Sequence, residues 1–362
     1  MYKKTVMKTG LTVVTCSMPL RRSVSLGIWI KSGGRYETRT NKGISHVLEH
    51  MLFKGSSKYS CRQIKESVEG AGGSLNGFTS EEATCYLVKV PAAKMRMGLD
   101  ILSDMVLRPS LPRADFAREK AVILEELKMY KDLPQSYVHE LLDQLLWPGH
   151  PLGMGIIGFE DSLAALTREE LRSYLRGHYV PAGIVVSAAG SLEHSGFCRM
   201  CGAAFASAGK NGKERAAYLP VEDAVGAGPR VKLLRKDTEQ THIAMGFRAF
   251  PREHKFKYAS VLLHIILGAN MSSRLFHEVR EKRGLAYEIG TQVKRFHDTG
   301  AFVVHAGIDN GKAAQAMEVV IAELRRIRRK TVEKRELKRA KDYFLGQLML
   351  SLEDSMEQML FT

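Results

Sequence analysis

The chain has 362 residues, 44% of them hydrophobic, and its 54 Lys and Arg outnumber 39 Asp and Glu to give a net charge of +15. That is enough apolar material for about two ordinary domains, and it excludes disordered and collagen-like chains. No window approaches ~18 consecutive apolar residues, and "MYKKTVMKTGLTVVTC" at the start lacks the apolar segment and small-residue cleavage site of a secretory signal, so a cytoplasmic protein with no membrane span is expected.

In chain order, "SVSLGIWIKSG" from Ser23 reads as a strand, and "NKGISHVLEHMLFKG" (Asn41 to Gly55) reads as a helix whose apolar run is interrupted by His46, Glu49 and His50. Buried imidazoles and carboxylates are costly unless something binds them. At about 100° per residue, His50 lies about 40° from His46 and Glu49 about 60° to the other side, so all three share one face. Two imidazoles at this spacing can bind one zinc ion, with the glutamate in reach of a water on that metal. His-x-x-Glu-His is the inverted form of a catalytic zinc motif. The plainer reading is a pair of core histidines flanking a glutamate.

A catalytic zinc needs a third protein ligand on a nearby rigid element. "DFAREKAVILEELKMYKDLP" supplies a second helix, from Asp115 as its cap to the break at Leu133-Pro134. Glu119 and Glu126 share a face of it, beside the apolar run Ala121 to Leu124. Each could equally be a surface carboxylate, and spacing alone does not choose between Glu125 and Glu126.

Further along, Cys198-Arg199-Met200-Cys201 is a CxxC with no second pair to complete a zinc knuckle. The five cysteines are odd in number and dispersed, which suits a reducing compartment. Residues 205–230 are rich in Ala, Gly and charge and read as a linker, after which "THIAMGFRAF" opens a second block with a strand. Shifting the chain against itself by 212 residues sets Ser60, Arg62, Glu66, Glu69 and Gly72 over Ser272, Arg274, Glu278, Glu281 and Gly284. The match supports duplication. In that register the second block has no counterpart of His46, Glu49 or His50. The basic stretch "ELRRIRRKTVEKRELKRAK" (Glu323 to Lys341) mixes acids into its bases and has no interleaved aromatics, which reads as a solvated helix face rather than a nucleic-acid site.

With these motifs in hand, the chain resembles the pitrilysin/insulinase family of zinc metallopeptidases, the inverzincins, in its processing-peptidase-like branch. "GGSLNGFTSEEATCYLVKVP", "HPLG" at His150 to Gly153 and "SSRLFHEVREKRGLAY" in the second half carry the resemblance across nearly the whole chain. It implies an α+β fold of two homologous domains, each an antiparallel sheet with helices on one face, arranged as a clam shell around a central cavity. The expected domains are 1–204 with the metal, a linker at 205–230, and 231–362 without metal ligands and apparently truncated, since relatives continue past "LSLEDSMEQMLFT".

The same resemblance assigns Glu126 as the third ligand of a single Zn2+, Glu119 as support for a ligand histidine, and Glu49 as general base. It places Asn76 on an edge strand that binds substrate backbone, and it makes Arg280 and Tyr287 a pair reaching the substrate and the developing oxyanion. Asn76 also reads plainly as a turn residue, Arg280 as an exposed helix arginine, Tyr287 as a core tyrosine and His150 as a structural loop residue. The implied activity is zinc-dependent endopeptidase action on unfolded peptides or targeting segments, by a homodimer or a heterodimer with a related subunit. A catalytically weak or structural subunit of the same fold is the competing reading, and the intact ligands and base argue against it.

Overall fold

The computed structural model describes residues 2–206, 217–222 and 228–361. Of the expected linker, residues 207–216 and 223–227 therefore lie outside the described residues. The strands are β1 (Tyr2–Val6), β2 (Thr12–Ser17), β3 (Ser23–Ile30), β4 (Ser74–Thr79), β5 (Thr84–Pro91), β6 (Ile184–Gly190), β7 (Gln240–Ala249), β8 (Ala286–Arg295) and β9 (Gly300–Asp309). The helices run α1 (Ile44–Leu52), α2 (Cys61–Glu69), α3 (Met95–Leu107), α4 (Arg113–Asp132), α5 (Pro134–Leu146), α6 (Glu160–Ala165), α7 (Arg168–His178), α8 (His194–Ala204), α9 (Lys257–Leu267), α10 (Ala313–Arg329), α11 (Lys334–Ser351) and α12 (Ser355–Phe361).

These elements form two compact units: residues 1–128, 154–219 and 350–362 make the first, and 129–153 with 220–349 the second. The first holds a sheet in the order β1-β2-β6-β3-β5-β4. It departs from a purely antiparallel sheet at one place, where β2 and β6 run parallel. The long stretch of chain between them, which holds β3 to β5 and α1 to α7, supplies the crossover that parallel pairing requires.

Alternation along the strands sends side chains to two faces. Val24, Leu26, Ile28 and Ile30 of β3, with Tyr86, Val88 and Val90 of β5, join Val47, Leu48 and Met51 of α1 in the main core. Cys16, Cys85, Leu87 and Ala189 face the other way and pack on Met359 of α12. A β-carbon at Gly27 would collide with the Met359 sulfur, so the bare backbone there is what admits the helix. Ser25 Oγ and Ser355 Oγ, 2.9 Å apart, hold α12 in the same place.

The second unit has a sheet in the order β7-β9-β8. Its elements repeat half of the first unit, with β7, β9 and β8 standing for β3, β5 and β4, α9 for α1, and α10 for α3. No strands equivalent to β1, β2 and β6 occur in it among the described residues.

The division differs from a cut at 205–230 in two places, because α5 belongs to the second unit and α12 to the first. Complementary shape explains α5: a β-carbon at Gly246 of β7 would sit 2.9 Å from Leu142 Cδ1 and 3.0 Å from Leu146 Cδ1. The glycine lets these leucines bury with Trp147, Phe296 and Val303.

Inside this unit His139 of α5 meets His305 of β9 edge to face, with ring centroids 5.3 Å apart. Burial, then the His305 and Lys294 charges, lower the His139 pKa from 6.5 to about 4. His264 is lowered by burial, then by Arg295 and His305, while His305 is lowered by burial against an opposing pull from Glu288. Above 6.5 a histidine of this kind is neutral folded and unfolded; between 6.5 and 4 only the unfolded chain accepts the proton. Stability is therefore lost as pH falls through that window. The urea midpoint should be lower at about pH 5 than at about pH 7.5, and His139→Gln should narrow the difference; a pH-independent gap between variant and wild type would contradict this.

Candidate metal centre

The first turn of α1 is organised from outside the helix. Gly43 precedes it at φ 95°, in the left-handed region, and no side chain of the N-cap itself closes the helix. Instead the buried Glu37 accepts from Gly43 N at 3.0 Å and from Ser45 N at 2.8 Å. Lys42, also buried, lies 3.5 Å from that carboxylate and donates to the Gly34 carbonyl at 2.6 Å. A carboxylate at a helix N-terminus satisfies orphan N–H groups and complements the helix dipole. Glu37 escapes sequence reading because it lies outside capping-box spacing.

On the next turns of α1, the rings of His46 and His50 stand 4.7 Å apart. Glu126 of α4 faces both, with Oε1 3.7 Å from His46 Nε2 and Oε2 3.8 Å from His50 Nε2. One donor atom from each of the three lies within 4.8 Å of the others. These separations are too long for hydrogen bonds. They suit ligands around a shared ion, since two ligands about 2.1 Å from a tetrahedral metal stand roughly 3.4 Å apart. The residues thus fit a metal by donor type and by spacing.

Protonation agrees with that fit. Burial, reinforced by the neighbouring His50, lowers the His46 pKa from 6.5 to about 4, so at neutral pH its imidazole is unprotonated, as a ligand must be. Glu119 is 9% exposed and lies 3.2 Å from His50 Nδ1, with Lys54 Nζ on its other oxygen at 2.7 Å. A proton on Nδ1 donated to Glu119 leaves the Nε2 lone pair of His50 turned toward Glu126. Glu125, left open against Glu126 by spacing, has its side chain 73% exposed and pairs with Lys128 at 2.7 Å. Helix α4 starts at Arg113, two residues before the expected Asp115, without moving any of these groups.

Glu49 is the second carboxylate at the site, 9% exposed. Its Oε2 accepts from the Thr79 hydroxyl at 2.6 Å. Burial raises its pKa, the Thr79 hydrogen bond and His50 oppose that shift, and the Glu126 charge adds to it. Thr79 was not singled out by the sequence; it ends β4, the edge strand. Asn76 lies on the same strand, exposed, with its carboxamide oxygen accepting from Gly77 N at 2.8 Å. Alternation puts its side chain on the face opposite Thr79.

Arg280 and Tyr287 come together within the second unit. Arg280 lies in the last turn of a short π-helical stretch, Phe276–Glu281, and its guanidinium sits 5.4 Å over the Tyr287 ring. Tyr287 is 74% exposed, not a core residue. The β8–β9 register shifts between Ala286 and Glu288, so Tyr287 is the extra residue of a bulge that turns it outward. His150 is 9% exposed and its Nδ1 accepts from Leu152 N at 3.1 Å, a loop role. All five cysteines are free thiols; His194 lies 3.5 Å from Cys198 Sγ and bonds the Thr5 and Thr15 hydroxyls, while Cys201 is buried.

The model of the insulinase peptidase family M16 matches residues 12–159, and that of the M16 inactive domain matches residues 165–344. An "Uncharacterized zinc protease YmxG" of Bacillus subtilis is 37% identical over 99% of this chain and 86% of its own length. The chain belongs to the M16 peptidase family. A further relative, "Uncharacterized zinc protease Mb2805c" of Mycobacterium bovis, is 35% identical over 99% of this chain and 82% of its own length.

Among solved structures, a protease from Helicobacter pylori superposes with a TM-score of 0.94 at 23% identity, covering 99% of this chain and 87% of that one. A Pseudomonas fluorescens structure described as a peptidase M16 inactive domain gives 0.88 at 19% identity, covering 100% and 92%. The M16 fold, two α+β units, is thus shared. The stretch matched by the first M16 model contains His46, Glu49, His50, Glu119 and Glu126; the inactive-domain stretch contains Arg280 and Tyr287. No helix among the described residues is long and apolar enough to cross a membrane.

Proposed function

We propose that this chain is a zinc-dependent endopeptidase acting on unfolded peptides or targeting segments, with one zinc ion held by His46, His50 and Glu126. The observation that carries the reading is the convergence of those three donors within 4.8 Å, with the buried Glu49 on the same helix face. When bound, zinc supplies a polarised water at neutral pH. Glu49 takes the proton of the attacking water and returns it to the leaving amine. Glu119 holds His50 in its ligating tautomer.

Strand β4 ends its sheet, so its outer edge offers main-chain groups to an extended peptide, with Asn76 beside them. Recognition of that kind reads backbone more than side chains and gives broad acceptance of unfolded segments. Arg280 and Tyr287 act as donors to the substrate and to the charge developing on its carbonyl oxygen.

The test is zinc analysis of the full chain with turnover of a quenched unfolded peptide. Stoichiometric zinc and cleavage lost to a chelator and restored by zinc are expected. A zinc-loaded chain that cleaves no unfolded peptide would sink the reading and return the chain to a structural role beside a related subunit.

A further inference from the structure

The Glu49 carboxylate is gripped at one oxygen only. Thr79 Oγ1 donates to Oε2 at 2.6 Å, and no described residue donates to Oε1. Rotation of a glutamate carboxylate about its last bond is broad, so a single fixed donor decides how the plane is set. A buried carboxylate also has little water to replace that donor.

The donor itself stands on rigid structure. Thr79 pairs in register with Thr84 of β5, which is fully buried and whose hydroxyl donates to the Ser32 carbonyl at 2.9 Å. Its neighbour two residues back, Gly77, lies against the Phe53 ring, where a β-carbon would sit 3.1 Å from Cε2 and Cζ. Strand β4 is therefore seated closely on the chain that follows α1. Groups held on regular elements by their own partners are the ones that keep a catalytic geometry.

We infer that Thr79 is a positioning residue for the base: its hydroxyl fixes Oε2 of Glu49, leaves Oε1 to handle the proton, and ties the base to the strand whose edge receives the peptide. The inference rests on the peptidase reading above. It adds that the orientation of Glu49 is set from β4, across thirty residues of sequence, rather than by α1 alone.

The experiment compares wild type, Thr79→Val and Thr79→Ser in the full chain. Valine keeps the branched shape and removes the donor; serine keeps the donor and removes the methyl. Thr79→Val is expected to lower kcat roughly ten- to a hundred-fold, the scale of a misplaced catalytic group, with KM and zinc content unchanged. Thr79→Ser should recover most of that loss. In metal-free protein, Thr79→Val should have a lower urea midpoint than Thr79→Ser, and the difference should vanish in a Glu49→Ala background.

Wild-type kcat in Thr79→Val overturns the inference. So does Thr79→Ser as slow as Thr79→Val, which would make the methyl packing decisive, or a midpoint difference that persists without Glu49. Loss of zinc from Thr79→Val overturns it as well, by assigning the hydroxyl to the ligand set. A zinc-loaded wild type without turnover removes the peptidase reading, and the inference falls with it.

Discussion

Glu49→Gln is expected to retain zinc at wild-type occupancy while peptide hydrolysis falls by roughly a hundred-fold or more, the scale of a lost general base. The amide cannot take a proton from water, yet its size lets it keep the place beside Thr79. None of the three converging donors is touched, so metal content should not move. Glu126→Gln should do the reverse and lose metal, because an amide oxygen is a far weaker ligand than a carboxylate facing two imidazoles. Glu125→Gln is the control: its side chain is 73% exposed and bound to Lys128, so zinc and turnover should both survive. Near-normal turnover in Glu49→Gln would remove the base assignment, and zinc loss from Glu125→Gln but not from Glu126→Gln would transfer the ligand to its neighbour.

These variants separate what was legible in the sequence from what was not. His46, Glu49 and His50 are readable because helical spacing alone puts them on one face, and charge inside an apolar run marks a site. Glu125 and Glu126 cannot be separated that way, since adjacent helix positions differ by about 100° and either can face a partner whose direction is unknown. Packing of α4 decides it. Thr79 and Glu37 are hidden for a related reason: each acts on α1 through a contact set by tertiary structure, and an isolated threonine or glutamate carries no local signal.

The units show the same contrast. The repeat is legible because corresponding elements keep their order, so β3, β5 and β4 recur as β7, β9 and β8. The placements of α5 and α12 are not, because each depends on a glycine more than a hundred residues away in sequence, Gly246 for α5 and Gly27 for α12. An amphipathic helix states that it has an apolar face. It does not state which sheet will accept it.

That exchange of helices shapes the test of the second unit's part in catalysis. A fragment cut near residue 220 would lack α12, which covers one face of the first sheet, and would carry α5 without the strand it packs on. Its inactivity would report folding as much as chemistry, so point changes in the full chain are the sharper instrument. We expect Tyr287→Phe and Arg280→Ala each to lower turnover about ten-fold or more, up to the roughly hundred-fold at which the cost of a fully lost oxyanion donor begins, with zinc content unchanged. Stability should barely move in Tyr287→Phe, because the side chain is 74% exposed and the change deletes only its hydroxyl. Arg280 sits 5.4 Å over that ring, so the pair should also be coupled: Arg280→Ala in a Tyr287→Leu background, which removes the ring, should cost less than in wild type. Wild-type kinetics in both single variants would leave the second unit with a scaffolding role, and strictly additive losses would make the two residues independent donors rather than one device.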